Sequence, residues 1–172
     1  AKGLLNAAIR CDDPVVFIES KLLYGQRQPV PEEEYTVPLG EAVVRREGEH
    51  LTIVAYSRMV DEALQAAGTL SDHGVEAEVI DLRTLAPLDI DTVAASVEAT
   101  GRAVVVEEGT LTGGVAAEIA QRITEECFDV LEAPPTRVAA LDVPVPASQV
   151  LEEAATPDWR DIAQAAADVL KY

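Results

Sequence analysis

The chain has 172 residues, 13 of them basic and 31 acidic, for a formal net charge of −18. A nucleic-acid module of the usual basic kind is excluded, because phosphate is bound by clustered Lys and Arg that release counterions. No run approaches the roughly 20 apolar residues of a membrane-spanning helix, and an acidic surface is repelled by anionic headgroups, so neither nucleic acid nor membrane is expected as a partner.

Domains usually run about 100 to 150 residues, so one complete core and a remnant of a second are expected of a soluble protein. Ala1-Lys2-Gly3-Leu4-Leu5 has neither the apolar run of a secretory signal nor an initiator Met, which suggests processing or a fragment. The two cysteines, Cys11 and Cys127, stand in no metal-type spacing, so no disulfide framework is indicated and a reducing cytoplasm fits best.

In chain order, Lys2 to Arg10 has a helical pattern and is followed by a turn at Cys11-Asp12-Asp13-Pro14. The apolar Pro14 to Glu19 then reads as a strand ending an αβ unit whose partner strands lie elsewhere. Residues 25–36 combine prolines, a charge run and no apolar periodicity, the composition of an extended linker. The expected division is therefore 1–24, tail of a first domain; 25–36, linker; 37–172, second domain.

Glu41 to Arg46 and Leu51 to Ala55, joined by Glu47-Gly48-Glu49, suggest an antiparallel edge hairpin. Met59 to His73 places Val60, Leu64, Ala67 and Leu70 at helical spacing before Gly74, and Val75 to Leu82 reads as a strand. A helix opened by Asp89-Ile90-Asp91 and closed by Gly101 precedes a strand at Ala103 to Glu107. A helix from Gly113-Gly114 to Cys127 and a strand from Thr136 to Leu141 follow; after a Pro-rich loop the last helix runs from about Pro157 to Leu170. Such alternation implies right-handed crossovers. The expected fold is a three-layer α/β domain: a mostly parallel sheet, helices on both faces, and an antiparallel edge strand.

Functional loops of an open parallel sheet lie at the carboxyl ends of its strands. Glu107-Glu108-Gly109-Thr110-Leu111-Thr112-Gly113-Gly114 ends a strand in two carboxylates and leads into a helix N-terminus, which suits an anion or a buried carboxylate. The plainer reading is that its glycines serve turns and close packing. It matches neither a Walker nor a dinucleotide fingerprint. Arg83, between Asp81 and Asp89, would clamp a substrate carboxylate or phosphate, pair with Asp81, or meet an acid across a subunit boundary. His50 and His73 sit beside turns with no companion nucleophile, so a catalytic triad is not visible. Cys127 lies on the apolar side of its helix and reads as core.

Taken in order, Lys21-Leu22-Leu23-Tyr24, Val30-Pro31-Glu32-Glu33-Glu34-Tyr35, Pro38-Leu39-Gly40, the string Val79 to Asp89, Glu107-Glu108 with Thr112-Gly113-Gly114, Leu131-Glu132-Ala133-Pro134 and Asp142-Val143-Pro144 resemble the beta subunit of the E1 component of 2-oxo acid dehydrogenase complexes, of the pyruvate, branched-chain or acetoin type. The resemblance spans the chain. It implies the tail of a pyrimidine-binding domain, a linker, and a whole transketolase C-terminal-like domain. The family reaction it implies is thiamin diphosphate- and magnesium-dependent decarboxylation of a 2-oxo acid with acyl transfer to lipoyl-E2. The residues that hold the cofactor belong to the alpha subunit and to the first half of beta, so the isolated chain is expected to bind no thiamin diphosphate and to be inactive.

Implied partners are an E1 alpha subunit, a second beta subunit and the subunit-binding domain of E2, in the bacterial cytoplasm or, in a eukaryote, the mitochondrial matrix. The resemblance implies a potassium ion at Ala8, Cys11 and Asp13 and E2 docking at Tyr172; the residues themselves suggest subunit interfaces at Arg83, Glu107, Glu108, Gly113, Gly114 and Ala117, and the acids Glu132 and Asp142 as further docking residues. Ala147-Ser148 departs from the aromatic or His that relatives carry after the Asp-x-Pro-x-Pro turn. The competing readings are another thiamin enzyme, such as transketolase or 1-deoxyxylulose-5-phosphate synthase, and a free-standing assembly module without catalysis.

Overall fold

The computed structural model describes residues 1–172. Five strands, β1 (Val43–Arg46), β2 (Leu51–Ala55), β3 (Ala77–Asp81), β4 (Ala103–Thr110) and β5 (Thr136–Ala140), form one sheet in the order β1-β3-β2-β4-β5. β3, β2, β4 and β5 run parallel, and β1 is antiparallel on the edge. Helices α2 (Met59–Ser71) and α6 (Trp159–Val169) pack on one face, α3 (Ile90–Thr100) and α4 (Val115–Cys127) on the other.

The strands read as continuous apolar runs because both faces are covered. In β2, Leu51, Ile53 and Ala55 enter the α2/α6 core while Val54 enters the α3/α4 core. β4 divides the same way, Val104 and Val106 to one side, Ala103 and Val105 to the other. Helix ends follow from local chemistry. Asp89 caps α3 by accepting from the Thr92 amide at 3.1 Å, and Gly101, at φ 69°, supplies the left-handed turn that stops it. Asp158 and Asp161 form a reciprocal capping box on α6. No helix is long and apolar enough to cross a membrane.

The three-layer α/β arrangement with its antiparallel edge strand is as expected, but β1 is not hairpinned to β2. It pairs with β3, Val43 opposite Asp81 and Val44 opposite Ile80. After β1 the chain crosses over the start of β3: the Glu49 and His50 amides both donate to the Glu76 carbonyl. A Cβ on Gly48 would stand 2.2 Å from the Ala77 carbonyl carbon, so only glycine permits the crossing.

Three other expectations change. Pro14 to Glu19 forms no strand, and Val16 and Ile18 are each 87% exposed; without a neighbour its amides and carbonyls have no ladder to join. β4 continues past Glu107 to Thr110 with an irregularity after Val106, so the paired glutamates sit inside a strand rather than at its end. The Pro-rich loop contains a short helix, α5 (Gln149–Ala155), with no buried residue.

At the amino end, α1 (Lys2–Arg10) lies along the segment expected to be a linker. Gly3 offers its carbonyl to the Val37 amide, Asn6 donates to the Tyr35 carbonyl at 2.9 Å, and the Lys2 ammonium donates to the carbonyls of Pro31, Glu32 and Glu33. That ammonium also stands 5.3 Å from the centre of the Tyr35 ring. Residues 26–42 form no helix or strand, and 31–37 are lashed to α1 rather than free.

Candidate functional site

The carboxyl edge of the sheet gathers the sequence's most chemically loaded residues: Tyr56 and Arg58 after β2, Asp81 and Arg83 at the end of β3, Glu107 and Glu108 in β4. Glu107 is 1% exposed, the only buried charged residue in the chain. Its Oε2 accepts from the Tyr56 hydroxyl at 3.0 Å, whereas its Oε1 has no partner. Around it, glycine creates the room: a Cβ on Gly114 would meet Oε1 at 1.9 Å, and one on Gly109 would meet Oε2 at 3.1 Å. Burial, reinforced by the Glu107 charge and hydrogen bond and by Glu108, pushes the Tyr56 hydroxyl far above its ordinary pKa of 10.0.

Arg58 extends the cluster. Its Nε donates to Glu108 at 2.9 Å and its Nη1 to Glu62 at 3.0 Å, and the other Glu62 oxygen accepts from the Trp159 amide at 3.0 Å. One guanidinium thus ties the start of α2 to β4, while Glu62 reaches the N-terminus of α6. Nearby, Asp142 accepts from both the amide and hydroxyl of Thr112, at 3.0 and 2.6 Å, and these two bonds hold its carboxyl below the usual range.

The expected site residues do not form one surface. Glu107 is enclosed by its own chain, so its side chain is an internal group and not an interface contact. Gly114 is occupied in making space for it. Glu108 faces Arg58, Arg83 is exposed, Gly113 is open at φ 77°, and Ala117 is half-buried on α4. Of the small residues on that helix, Ala116 is spent in the domain's own core.

The three docking residues divide between opposite edges. Glu132 precedes β5 and its amide donates to the Gly101 carbonyl, at the amino edge. α6 starts beside Glu62 at the carboxyl edge and runs back, so Tyr172, 78% exposed, also ends at the amino edge. Asp142 follows β5, at the carboxyl edge, bonded to Thr112. Five strand residues at about 3.3 Å each put roughly 16 Å between the two edges, too far for Asp142 to join the other two in one small contact.

His50 is half-buried, and its Nδ1 accepts from the Glu76 amide at 2.8 Å; His73 lies against the Thr69 carbonyl. Both are structural turn residues. Cys127 is core, its thiol pushed up by burial and by Glu98 and Glu126. Neither paired acids nor histidines converge as a metal cluster. Ala8, Cys11 and Asp13 offer at most two carbonyls and one carboxylate on an exposed turn, and the Ala8 carbonyl already accepts from the Cys11 amide. By themselves they fall short of the oxygen cage a hard cation takes.

A family model described as the transketolase C-terminal domain matches residues 40–162. The chain belongs to that family. Along its whole length, this transketolase C-terminal domain with its leading segment is 51% identical to the pyruvate dehydrogenase E1 component subunit beta of Bacillus subtilis strain 168, covering 53% of that protein. It is 47% identical, over 99% of its length, to the acetoin:2,6-dichlorophenolindophenol oxidoreductase subunit beta of Cupriavidus necator, covering 50% of that protein. Among solved structures, a split-gene transketolase described as an inactive β4 tetramer superposes at a TM-score of 0.67 with 30% identity, over 79% of this chain and 44% of that one. The chain spans about half the length of the curated relatives it matches.

Proposed function

We propose that this chain acts as the C-terminal half of the beta subunit of a thiamin diphosphate-dependent 2-oxo acid dehydrogenase, serving assembly with an alpha subunit and a second beta subunit and docking of E2. The observation that carries the reading is the 51% identity that extends beyond the matched domain, through α1 and the segment lashed to it. A domain shared loosely among thiamin enzymes would leave that leading segment free to diverge.

The residues present do not fit the cofactor itself. No acidic cluster converges to hold magnesium, and at the carboxyl edge the arginines Arg45, Arg58 and Arg83 are outnumbered by the carboxylates Asp61, Glu62, Asp81 and Glu108, leaving no surplus of positive side chains for a diphosphate. No chemical step is therefore assigned to this chain. Its work in the complex is positional: the carboxyl edge, with Arg83, Glu108, Gly113 and Ala117, supports contacts to neighbouring subunits. At the amino edge, Glu132 lies in a groove of about 390 Å³ lined by Phe128, Leu131 and Pro134, and Tyr172 ends α6 at the same edge on the opposite face of the sheet. That edge is the better E2 face, because it carries exposed apolar surface beside an acidic side chain, Glu132.

The test is a chimera in which Ala1–Tyr172 replaces the matching half of the Bacillus subtilis beta subunit, purified with its alpha subunit. Assembly and pyruvate-dependent acylation of lipoyl-E2 are expected. A folded chimera that fails to join the alpha subunit overturns the reading.

A further inference from the structure

A cavity of about 280 Å³ opens at the carboxyl ends of β2 and β3, roofed by the start of α1 and by residues 23–28. Ligands of open parallel sheets occupy such positions. Two residues on its wall, Ser57 at φ 56° and Arg83 at φ 58°, are the chain's only non-glycine residues with positive φ. Backbone strain of this kind persists where the surroundings over-determine it, and it concentrates at binding sites.

The hydrogen bonds show what does the holding. Asp81 Oδ1 accepts from the Arg83 amide at 3.0 Å, and Oδ2 faces the Arg45 guanidinium at 3.4 Å. The Thr84 amide reaches back to the Leu82 carbonyl at 2.5 Å. Asp81 is thereby committed to the backbone of the turn and to Arg45. Asp61, across the cavity, is engaged by the Gln26 amide at 2.6 Å. Three side-chain donors on the wall, the Arg83 guanidinium, the Ser57 hydroxyl and the Gln28 amide, have no partner in the chain, and the Ala1 ammonium stands beside them.

We propose that this cavity is a receptor for a single carboxylate, met by the Arg83 fork with Ser57 and Gln28 as further donors. A guanidinium presents parallel N–H groups that match a planar carboxylate. The formal charges of the side chains Arg45, Arg83, Asp61 and Asp81 cancel and the Ala1 ammonium adds one positive charge, so in a chain of net charge −18 this wall lets a monoanion approach. Two aspartates in the same cavity repel a dianion, which selects a monocarboxylate over phosphate. The carboxylate has two sources, a small free acid or a side chain of another protein molecule.

The test is titration of the ¹⁵N-labelled 172-residue chain with acetate and, separately, inorganic phosphate, followed by amide shifts. Saturable movement of Ser57, Arg83 and Thr84 by acetate is expected, with phosphate at least fivefold weaker. Arg83→Gln should weaken acetate binding at least tenfold, Arg83→Lys severalfold, and Arg27→Gln, outside the cavity, not at all. Dispersed spectra of each variant establish folding. Raising protein concentration separates the sources: displacement of acetate by self-association assigns the site to a side-chain carboxylate, and indifference assigns it to a free acid. Absence of saturable shifts at these amides, or equal binding by Arg83→Gln, overturns the proposal.

Discussion

The Glu107 carboxylate is gripped by one residue and accommodated by another: Tyr56 donates to Oε2 at 3.0 Å, while Oε1 fills the place where a side chain at Gly114 would begin. The glycine is needed for volume at a charged group, not for a turn, since its backbone is ordinary extended chain at φ −74°.

Gly114→Ala should therefore destabilise the domain by about 1–3 kcal/mol through overpacking. In a Glu107→Ser background part of that cost should vanish, because the collision with Oε1 is gone while the 2.6 Å approach to the Thr110 carbonyl oxygen remains. Urea unfolding of the four chains in this cycle measures the coupling. An unchanged cost in the Ser background would show that the collision is not the cause.

Tyr56→Phe leaves the Glu107 carboxylate without any partner in the chain and should cost about 1–3 kcal/mol. In the native protein, alkaline absorbance titration should find Tyr56 the last of the four tyrosines to ionise. The sign follows from linkage. A hydroxyl whose pKa is raised by folding contributes fully below pH 10.0, the unfolded value, and that contribution drains away as pH climbs toward the folded value. The Phe variant should lose this alkaline slope.

Asp89 titrates the other way. Partial burial alone would raise its pKa, but bonds from the Ala42 amide and from the Thr92 hydroxyl and amide outweigh it and hold the carboxyl below 3.8. Its stabilisation is present above about pH 3.8 and is lost as pH falls through the depressed folded value. Asp89→Ala should cost about 1–2 kcal/mol at neutral pH, as for a lost N-cap, and less in acid. Stability curves at pH 7 and pH 3 compare the two.

Thr52 hides a hydroxyl in the sheet, 2.6 Å from Ser96 Oγ and 2.8 Å from Thr100 Oγ1 on α3. Thr52→Val keeps the shape and strands the Ser96 hydroxyl, so about 1–3 kcal/mol should be lost. Ser96→Ala in the same chain should restore part of it, which denaturant midpoints would register.

For the proposed docking face, extending the chain past Tyr172, or Glu132→Gln, should slow association with a basic E2 domain and flatten its salt dependence. Asp142→Asn, at the opposite edge, should leave both unchanged. Surface-based kinetics at two ionic strengths distinguish them; an equal effect of Asp142→Asn would count against a single face at the amino edge.

Periodicity carried most of the fold. β2, β4, α2 and α3 announce themselves because Val, Ile and Leu alternate with Ala-rich helical spacing and because Asp89 and Gly101 punctuate one helix at both ends. The partner of β1 was not legible in the same way. A short turn containing Gly48 suits a hairpin, and only the crossing at Ala77 shows that β3 intervenes. Val15 to Ile18 has strand-like side chains, yet a strand exists only by pairing. The enclosure of Glu107 was not legible, because a carboxylate at a strand end beside a second one is open both to burial and to a subunit interface. The available signal was Gly109 and Gly114 at flanking positions, which leave room for a side chain rather than make a turn. Arg83's free guanidinium was equally hidden, since its strained turn and the diversion of Asp81 to its amide exist only in three dimensions.

The direction of α6 has a practical corollary. Because that helix returns the chain to the start of the strands, a fluorophore or affinity tag attached after Tyr172 sits a full sheet length from Arg83 and from the Tyr56–Glu107 pair. Immobilising the protein through its terminus would leave the carboxylate cavity open to solution and turn the amino edge, where Glu132 lies, toward the support. Anchoring through a cysteine placed on the exposed α5 would do the opposite, and the two orientations together would let a single sensor chip tell ligands of one end from those of the other.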